Sequence, residues 1–250
     1  MSVLPRRLRS PALPATVEIM VDGAPVAIAV RRSERARRYT LKLPAASADP
    51  ILVIPAHGSL ERGLSFARSQ SGWLRERIGR RPDHVDFKDG AEVPLRGETH
   101  MIRSTGLLRG GVRLVAGDDE LPRIDIAGDP EHLERRFTDW LKVEARRDLE
   151  PAVTAHAAKL GVRPKRIAIR DQSSRWGSCS TSGTLSFSWR LILAPTMVLD
   201  YLAAHEVAHM VEMNHGRRFW RVLESIAPHT GAAEAWLKRY GASLFRYGPR

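Results

Sequence analysis

The chain has 250 residues, 43% hydrophobic and 27% charged, a composition ordinary for one large or two small globular domains and wrong for collagen-like, low-complexity or coiled-coil architectures. Its formal charge is +12, from 40 Lys and Arg against 28 Asp and Glu, which suits an acidic partner such as a nucleic acid or a nucleotide. The imbalance of 34 Arg to 6 Lys fits a coding bias equally well, and no RNP, helix-turn-helix or zinc-finger pattern adds support.

The beginning of the chain has no unbroken apolar stretch, because Pro5, Pro11 and Pro14 alternate with Arg6, Arg7 and Arg9. Apolar runs elsewhere fall far short of the roughly 18 residues a membrane span needs, so a cytoplasmic protein with no membrane association is expected. Alternating apolar residues then predict strands at 16–21, 26–30, 39–43 and 51–54, the first two joined by an Asp22-Gly23 turn. A single helix is expected over 59–78, with Leu60, Leu64, Ala67, Trp73, Leu74 and Ile78 along one face. Further strands follow at 92–95, 99–103, 112–115 and 123–126, and no internal repeat is legible.

At Asp129-Pro130 the character changes, since Asp is a good N-cap and Pro fits a first helical turn. Apolar residues recur from there at helical spacing, with a break or kink expected at Pro151 and an end at Gly161. Strands are expected at 166–170 and 184–193, and a long helix from Pro195 to about Met213, with shorter helices near 217–226 and 232–244. The expected class is α+β, with a β-rich region over residues 1–127 and a mainly helical domain over 128–250.

The last long helix holds His205-Glu206-Val207-Ala208-His209, an H-E-x-x-H motif. Four residues turn a helix by about 400°, so both imidazoles share one face about 6 Å apart and can converge on one zinc ion. Glu206 lies about 100° round, where its carboxylate can act as general base on a water beside the metal. Composition alone would place this motif in roughly 2% of such chains, and its position inside a helix raises its weight. The single cysteine, Cys179, permits neither an intramolecular disulfide nor a Cys-rich zinc site. It reads as an inert, buried thiol.

A catalytic zinc needs a third protein ligand. His215 can supply it if the helix stops first, and Asn214 and Gly216 are suited to stopping it. Glu212, on the same face as His205, is the competitor and more plausibly a hydrogen-bond acceptor for a ligand imidazole or an arginine. The histidine spacing equals that of metzincins, yet their glycine is Glu212 here and no methionine follows Met213.

Ser174-Arg175-Trp176-Gly177-Ser178-Cys179, the 189–195 segment Trp-Arg-Leu-Ile-Leu-Ala-Pro, the motif helix, and Asn214-His215-Gly216-Arg217-Arg218-Phe219-Trp220 together resemble the YgjP-like metal-dependent hydrolases. That family is related to the SprT and WLM groups of zincin metallopeptidases, and the resemblance covers about Ile167 to Leu237. It implies a zincin-type core and one zinc held by His205, His209 and His215.

Three functions compete. The first is zinc-dependent peptide hydrolysis, with Glu206 activating a zinc-bound water and Arg175, Trp176 and Gly177 beside the substrate. The second is metal-dependent hydrolysis of a nucleotide phosphoanhydride, with Arg175, Arg190, Arg217 and Arg218 holding phosphate. The third is a nucleic-acid-associated zinc module, for which Glu206 would have no use. Phe219, Trp220, Leu223, Tyr201 and Trp189 read as packing residues, and His156 and His229 receive no role.

Overall fold

The computed structural model describes residues 12–44, 49–79, 83–117, 120–172 and 175–249. Ser174 and the arginines at positions 6, 7 and 9 lie outside them. The chain divides into two compact units, residues 1–81 and 82–250.

In the first unit, β1 (Thr16–Val21), β2 (Ala24–Ser33), β3 (Thr40–Lys42) and β4 (Ile51–Pro55) form a sheet of order β1-β2-β4-β3. The outer pairings are antiparallel and the central β2–β4 pair is parallel. Alternation puts Ile19, Val21, Ile28, Val30, Leu52 and Ile54 on a buried face. Two helices, α1 (Leu60–Ser69) and α2 (Ser71–Gly79), cover it through Ala67 and Leu74. The single helix expected over 59–78 is thus two. The Ser69 hydroxyl donates to the Phe66 carbonyl at 2.7 Å, competing with the helical ladder where Ser69-Gln70-Ser71-Gly72 offers little propensity to resist.

The second unit opens with β5 (Glu92–Leu95), β6 (Glu98–Ser104), β7 (Val112–Val115) and β8 (Arg123–Ile126), in a sheet of order β5-β6-β8-β7. Its pairing senses match the first sheet strand for strand. Each sheet begins with a hairpin whose two turn residues both have positive φ, Asp22 and Gly23 at 50° and 81°, Arg96 and Gly97 at 53° and 85°, as a type I′ turn demands. The repeat absent from the sequence is therefore present in topology.

The remaining elements are α3 (Leu133–Leu160), β9 (Arg166–Arg170), β10 (Gly177–Cys179), β11 (Thr184–Ser188), α4 (Thr196–Ala208), α5 (Arg217–Ile226) and α6 (Thr230–Tyr240). The last three strands form a sheet of order β10-β11-β9. The sequence division at 127/128 falls inside this unit, because Val93, Leu95, Ile102, Ile124 and Ile126 share one core with Phe137, Leu141 and Leu149 of α3 and with Val198 and Leu202 of α4.

Three local expectations are corrected. Pro151 does not break α3. Its missing N–H and ring clash cost about 3 kcal/mol, and the burial of Leu149, Val153 and Ala157 on either side of it outweighs that. The strand expected over 184–193 ends at Ser188, and Trp189–Leu193 forms a 3-10 turn. All five of its side chains are buried, so the run carries no periodicity that could tell turn from strand. Finally, α4 ends at Ala208, five residues before Met213.

The hairpin tip of β5 and β6 is docked on the segment that leads into α4. The Arg96 and Gly97 N–H groups donate to the Ile192 and Leu193 carbonyls at 2.7 and 3.3 Å. A Cβ on Gly97 would come within 3.0 Å of Pro195. The Arg96 guanidinium reaches back to α3, donating to both oxygens of Asp148 at 2.7 and 2.8 Å and to Glu144 at 2.8 Å. These carboxylates raise its affinity for its proton.

Candidate metal centre

Helix α4 is apolar nearly all round, as a helix in the middle of a core must be, and Val198, Leu199, Leu202, Ala203, Ala204, Val207 and Ala208 are all buried. His205 lies in its last turn, and His209 follows as its C-cap. The chain then winds through tight turns, with Met210 N–H bonded to the Val207 carbonyl and Val211 and Glu212 N–H to that of Ala208. The early stop returns His215 to the histidine pair. Asn214, suited to a left-handed cap, has no positive φ, and Gly216, with φ −83°, serves as the N-cap of α5.

Ligand-capable atoms of His205, His209 and His215 lie within 4.8 Å of one another, the only such group of three or more metal-ligating side chains among the described residues. Nε2 of His205 and Nε2 of His215 face each other at 3.1 Å. His209 turns Nδ1 toward the Glu212 carbonyl at 3.2 Å, so Nδ1 donates and Nε2 keeps its lone pair. His205 turns Nδ1 toward the Tyr201 hydroxyl at 3.4 Å. Beneath the cluster, the Phe219 ring packs against all three imidazoles at centroid distances of 4.5 to 4.8 Å. Its residue is buried, as expected of a packing residue, and it forms the floor of the site.

Glu206 is 4% exposed. Burial pushes its carboxyl up to about 8 although Arg175 opposes the shift. Its Oε2 has no hydrogen-bond partner among the described residues. Burial and the neighbouring imidazoles press His205 down to about 3, and burial lowers His209 as well. Three imidazoles whose ring nitrogens converge, beside a buried carboxyl group that Arg175 only partly offsets, form a donor set that fits a divalent cation and suits zinc.

The three residues singled out at the start of β10 sit at this site. Arg175, Trp176 and Gly177 line a pocket of about 340 Å³ together with Tyr201, Glu206 and Glu234. Trp176 stacks on Phe245 at 4.8 Å, and its carbonyl accepts from the Ser188 N–H at 2.8 Å, which anchors the turn. Gly177 passes so close to Glu206 that a Cβ would lie 2.4 Å from Oε1.

Other expected residues are placed differently. Glu212 meets His209 through its main-chain carbonyl rather than its carboxylate. Arg190 is 3% exposed, stacked 4.4 Å above Trp189, bonded to Asp171 and to the Tyr247 and Pro249 carbonyls, and thereby removed from any phosphate-binding role. Cys179 is half-buried and stands outside the histidine group.

Sequence reasoning missed the second contact of Tyr201, although a residue four before His205 shares its helical face. Desolvation and the Glu234 carboxylate hold the Tyr201 hydroxyl protonated. Also missed was a brace on α4: Asp200 accepts from His156 of α3 at 2.8 Å and lies 3.1 Å from His229 at the start of α6.

No curated protein sequence matches the chain. Among solved structures, the metallopeptidase zymogen abylysin of Pyrococcus abyssi is similar, with 22% identity over 40% of this chain and 99% of that one and a TM-score of 0.34. The YgjP-like metallopeptidase domain matches residues 37–240, far more than half the length, and the chain therefore belongs to the YgjP-like family.

Proposed function

We propose that the protein is a zinc-dependent peptidase in which His205, His209 and His215 hold one zinc ion and Glu206 is the general base. The observation that carries this reading is the buried Oε2 of Glu206, without a hydrogen-bond partner among the described residues, beside three converging imidazoles. A structural site has no use for a desolvated carboxylate in that place. When bound, zinc supplies Lewis acidity that polarises a carbonyl and lowers the pKa of water. Glu206 accepts the proton of the attacking water and returns it to the leaving amine nitrogen. Phe219 and the apolar wall of α4 close the site from beneath, while the exposed His215 leaves its other side open to water and substrate. Strand β10 stands at the edge of its sheet, so its free backbone groups can pair with an extended peptide, beside Arg175 and Trp176.

Phosphoanhydride hydrolysis is less well supported, since Arg190 is committed to the core and the described residues hold no further metal-capable cluster. No helix among the described residues is long and apolar enough to cross a membrane.

The test pairs zinc-loaded protein with Glu206→Gln. Both are incubated with a mixed peptide library and with nucleoside triphosphates. Peptide cleavage that the variant loses, with zinc content unchanged, is expected, because an amide cannot accept the water's proton. Pyrophosphate release without peptide cleavage would replace the reading with the second one, and equal activity of the variant would remove Glu206 from the reaction.

A further inference from the structure

The charge of the chain is unevenly divided. Residues 1–81 hold 15 of the 40 Lys and Arg but only 6 of the 28 Asp and Glu, a formal +9 out of +12. A coding bias exchanges Lys for Arg along the whole chain. It does not gather three quarters of the net charge into one third of the residues.

Within the first unit, the topology collects much of this charge at one end of the sheet. The parallel register sets Arg31 and Arg32 of β2 beside Val53 and Ile54 of β4, and the antiparallel register sets Thr40 of β3 beside Val53 from the other side. The loop of residues 34–39 therefore crosses the C-terminal end of β4, where α1 begins. Arg32 Nη1 donates to the Pro55, Ala56 and Gly58 carbonyls at 3.2, 2.6 and 3.0 Å, and the Tyr39 hydroxyl donates to the Ser59 carbonyl at 3.2 Å. The loop is clamped at both ends. Arg35, Arg37 and Arg38 project from it, with Arg31 on one side and Arg62, in the first turn of α1, on the other. All five are exposed, and none forms an ion pair with a described residue. Glu34 and Glu61 are the acidic residues of the same rim.

We infer that this arginine rim is a binding surface for nucleic acid, gripping the phosphodiester backbone. Guanidinium groups on a fixed loop match phosphate oxygens in geometry and charge. The composition of the rim decides against other polyanions. A membrane-bound surface inserts apolar side chains beside its cations, and a specific protein interface has an apolar core. The rim exposes no large apolar side chain. The one strongly exposed large hydrophobic among the described residues of this unit, Met20, pairs with Pro25 near the hairpin turn, at the opposite end of β2. The inference concerns residues 1–81 alone and does not depend on the peptidase reading.

The test measures binding of the full chain to a short labelled DNA duplex and to a labelled RNA strand of equal length, between about 50 and 200 mM salt. Arg35→Gln, Arg37→Gln and Arg38→Gln are combined in one variant. Its control loses the same charge from the second unit, through Arg103→Gln, Arg109→Gln and Arg113→Gln. Melting temperatures establish that both fold. The first variant is expected to bind about tenfold or more weakly at low salt, with a log–log salt slope on duplex shallower by about 0.9 for each phosphate no longer neutralised, and the control is expected to bind like the parent. Preference between the two probes tells which nucleic acid is held. Absence of binding to both, or equal weakening in the two variants, would overturn the inference. So would equally tight binding to vesicles of anionic lipid or to polyglutamate.

Discussion

Gly177→Ala tests the geometry of the candidate site without touching a ligand or the base itself. Gly177 has no positive φ, so alanine meets no backbone penalty there. The added Cβ would lie 2.4 Å from Glu206 Oε1, 2.7 Å from Cγ and 2.8 Å from Cδ. Ordinary contact begins near 3.4 Å, so the carboxylate must retreat by about 1 Å. The end of a side chain yields more readily than a strand or a buried helix, and the fold should survive with little loss of melting temperature. Catalysis should not, because a displacement of about 1 Å from productive geometry costs about a hundredfold in rate, or about 2.7 kcal/mol of transition-state stabilisation. The expected result is zinc content equal to the parent by elemental analysis and a kcat/KM about a hundredfold lower. Adding Gly177→Ala to Glu206→Gln should cause no further loss, since both act through one carboxylate. Parental kcat/KM in a folded Gly177→Ala protein would refute the placement of Glu206, and loss of zinc would show that the strain passes to the histidines instead.

His215→Ala should abolish tight zinc binding, while Glu212→Gln should leave it almost unchanged, because the Glu212 main-chain carbonyl makes the contact to His209. Competition with a chelating dye reads both, and the reverse order would return Glu212 to the ligand set. Tyr201→Phe removes the hydroxyl facing His205 Nδ1 and should weaken zinc binding about tenfold, at the low end for a group that orients a ligand; an unchanged affinity would leave Tyr201 as packing alone. Asp200→Asn should destabilise by about 1 kcal/mol at neutral pH, a value reduced for the 37% exposure of the carboxylate, and lower the melting temperature by about 2–4 °C. The His156 hydrogen bond depresses the Asp200 pKa, so the wild-type advantage is present above the ordinary carboxylate range and is lost as pH falls below about 4. A gap between the two proteins that widens on acidification would contradict this.

The motif residues were legible because their chemistry depends on local spacing. His205, Glu206 and His209 need only one helical turn to converge, and that turn exists even though α4 ends with it. His215 was reachable from sequence for a sound reason with a wrong detail: the helix does stop in time, but it stops after Ala208, through backbone turns that no Asn or Gly announces. Residues brought to the site by tertiary packing gave no such signal. Glu234 arrives on α6 and reads in sequence as an ordinary helical position, and Phe219, on α5, reads as a packing residue with nothing to say that it packs beneath the imidazoles. Strand β10 was overlooked because Gly177-Ser178-Cys179 has no β propensity of its own; its place is set by pairing with β11 and by the need for a bare backbone against Glu206.

The duplicated topology shows how one arrangement of strands can serve two ends, and the difference lies in a single turn. Asp22-Gly23 is a favoured type I′ pair, comfortable at positive φ, and its aspartate meets the exposed Arg75, at 3.3 Å. Arg96-Gly97 is not favoured: a left-handed conformation costs a residue with a side chain roughly 1 kcal/mol. That strain is tolerated because the turn makes bonds the first one lacks. Its two N–H groups hold the carbonyls of Ile192 and Leu193, and its guanidinium is clasped by Asp148 and Glu144 of α3. Charge-assisted bonds of this kind are about twice as strong as neutral ones, so the exchange favours the strained turn. The consequence is a fixed entry point for α4, with Pro195 wedged against Gly97. The helix that carries His205 and Glu206 thus begins against a hairpin tip and ends against its third histidine, and both ends are set by contacts that a flexible loop could not provide.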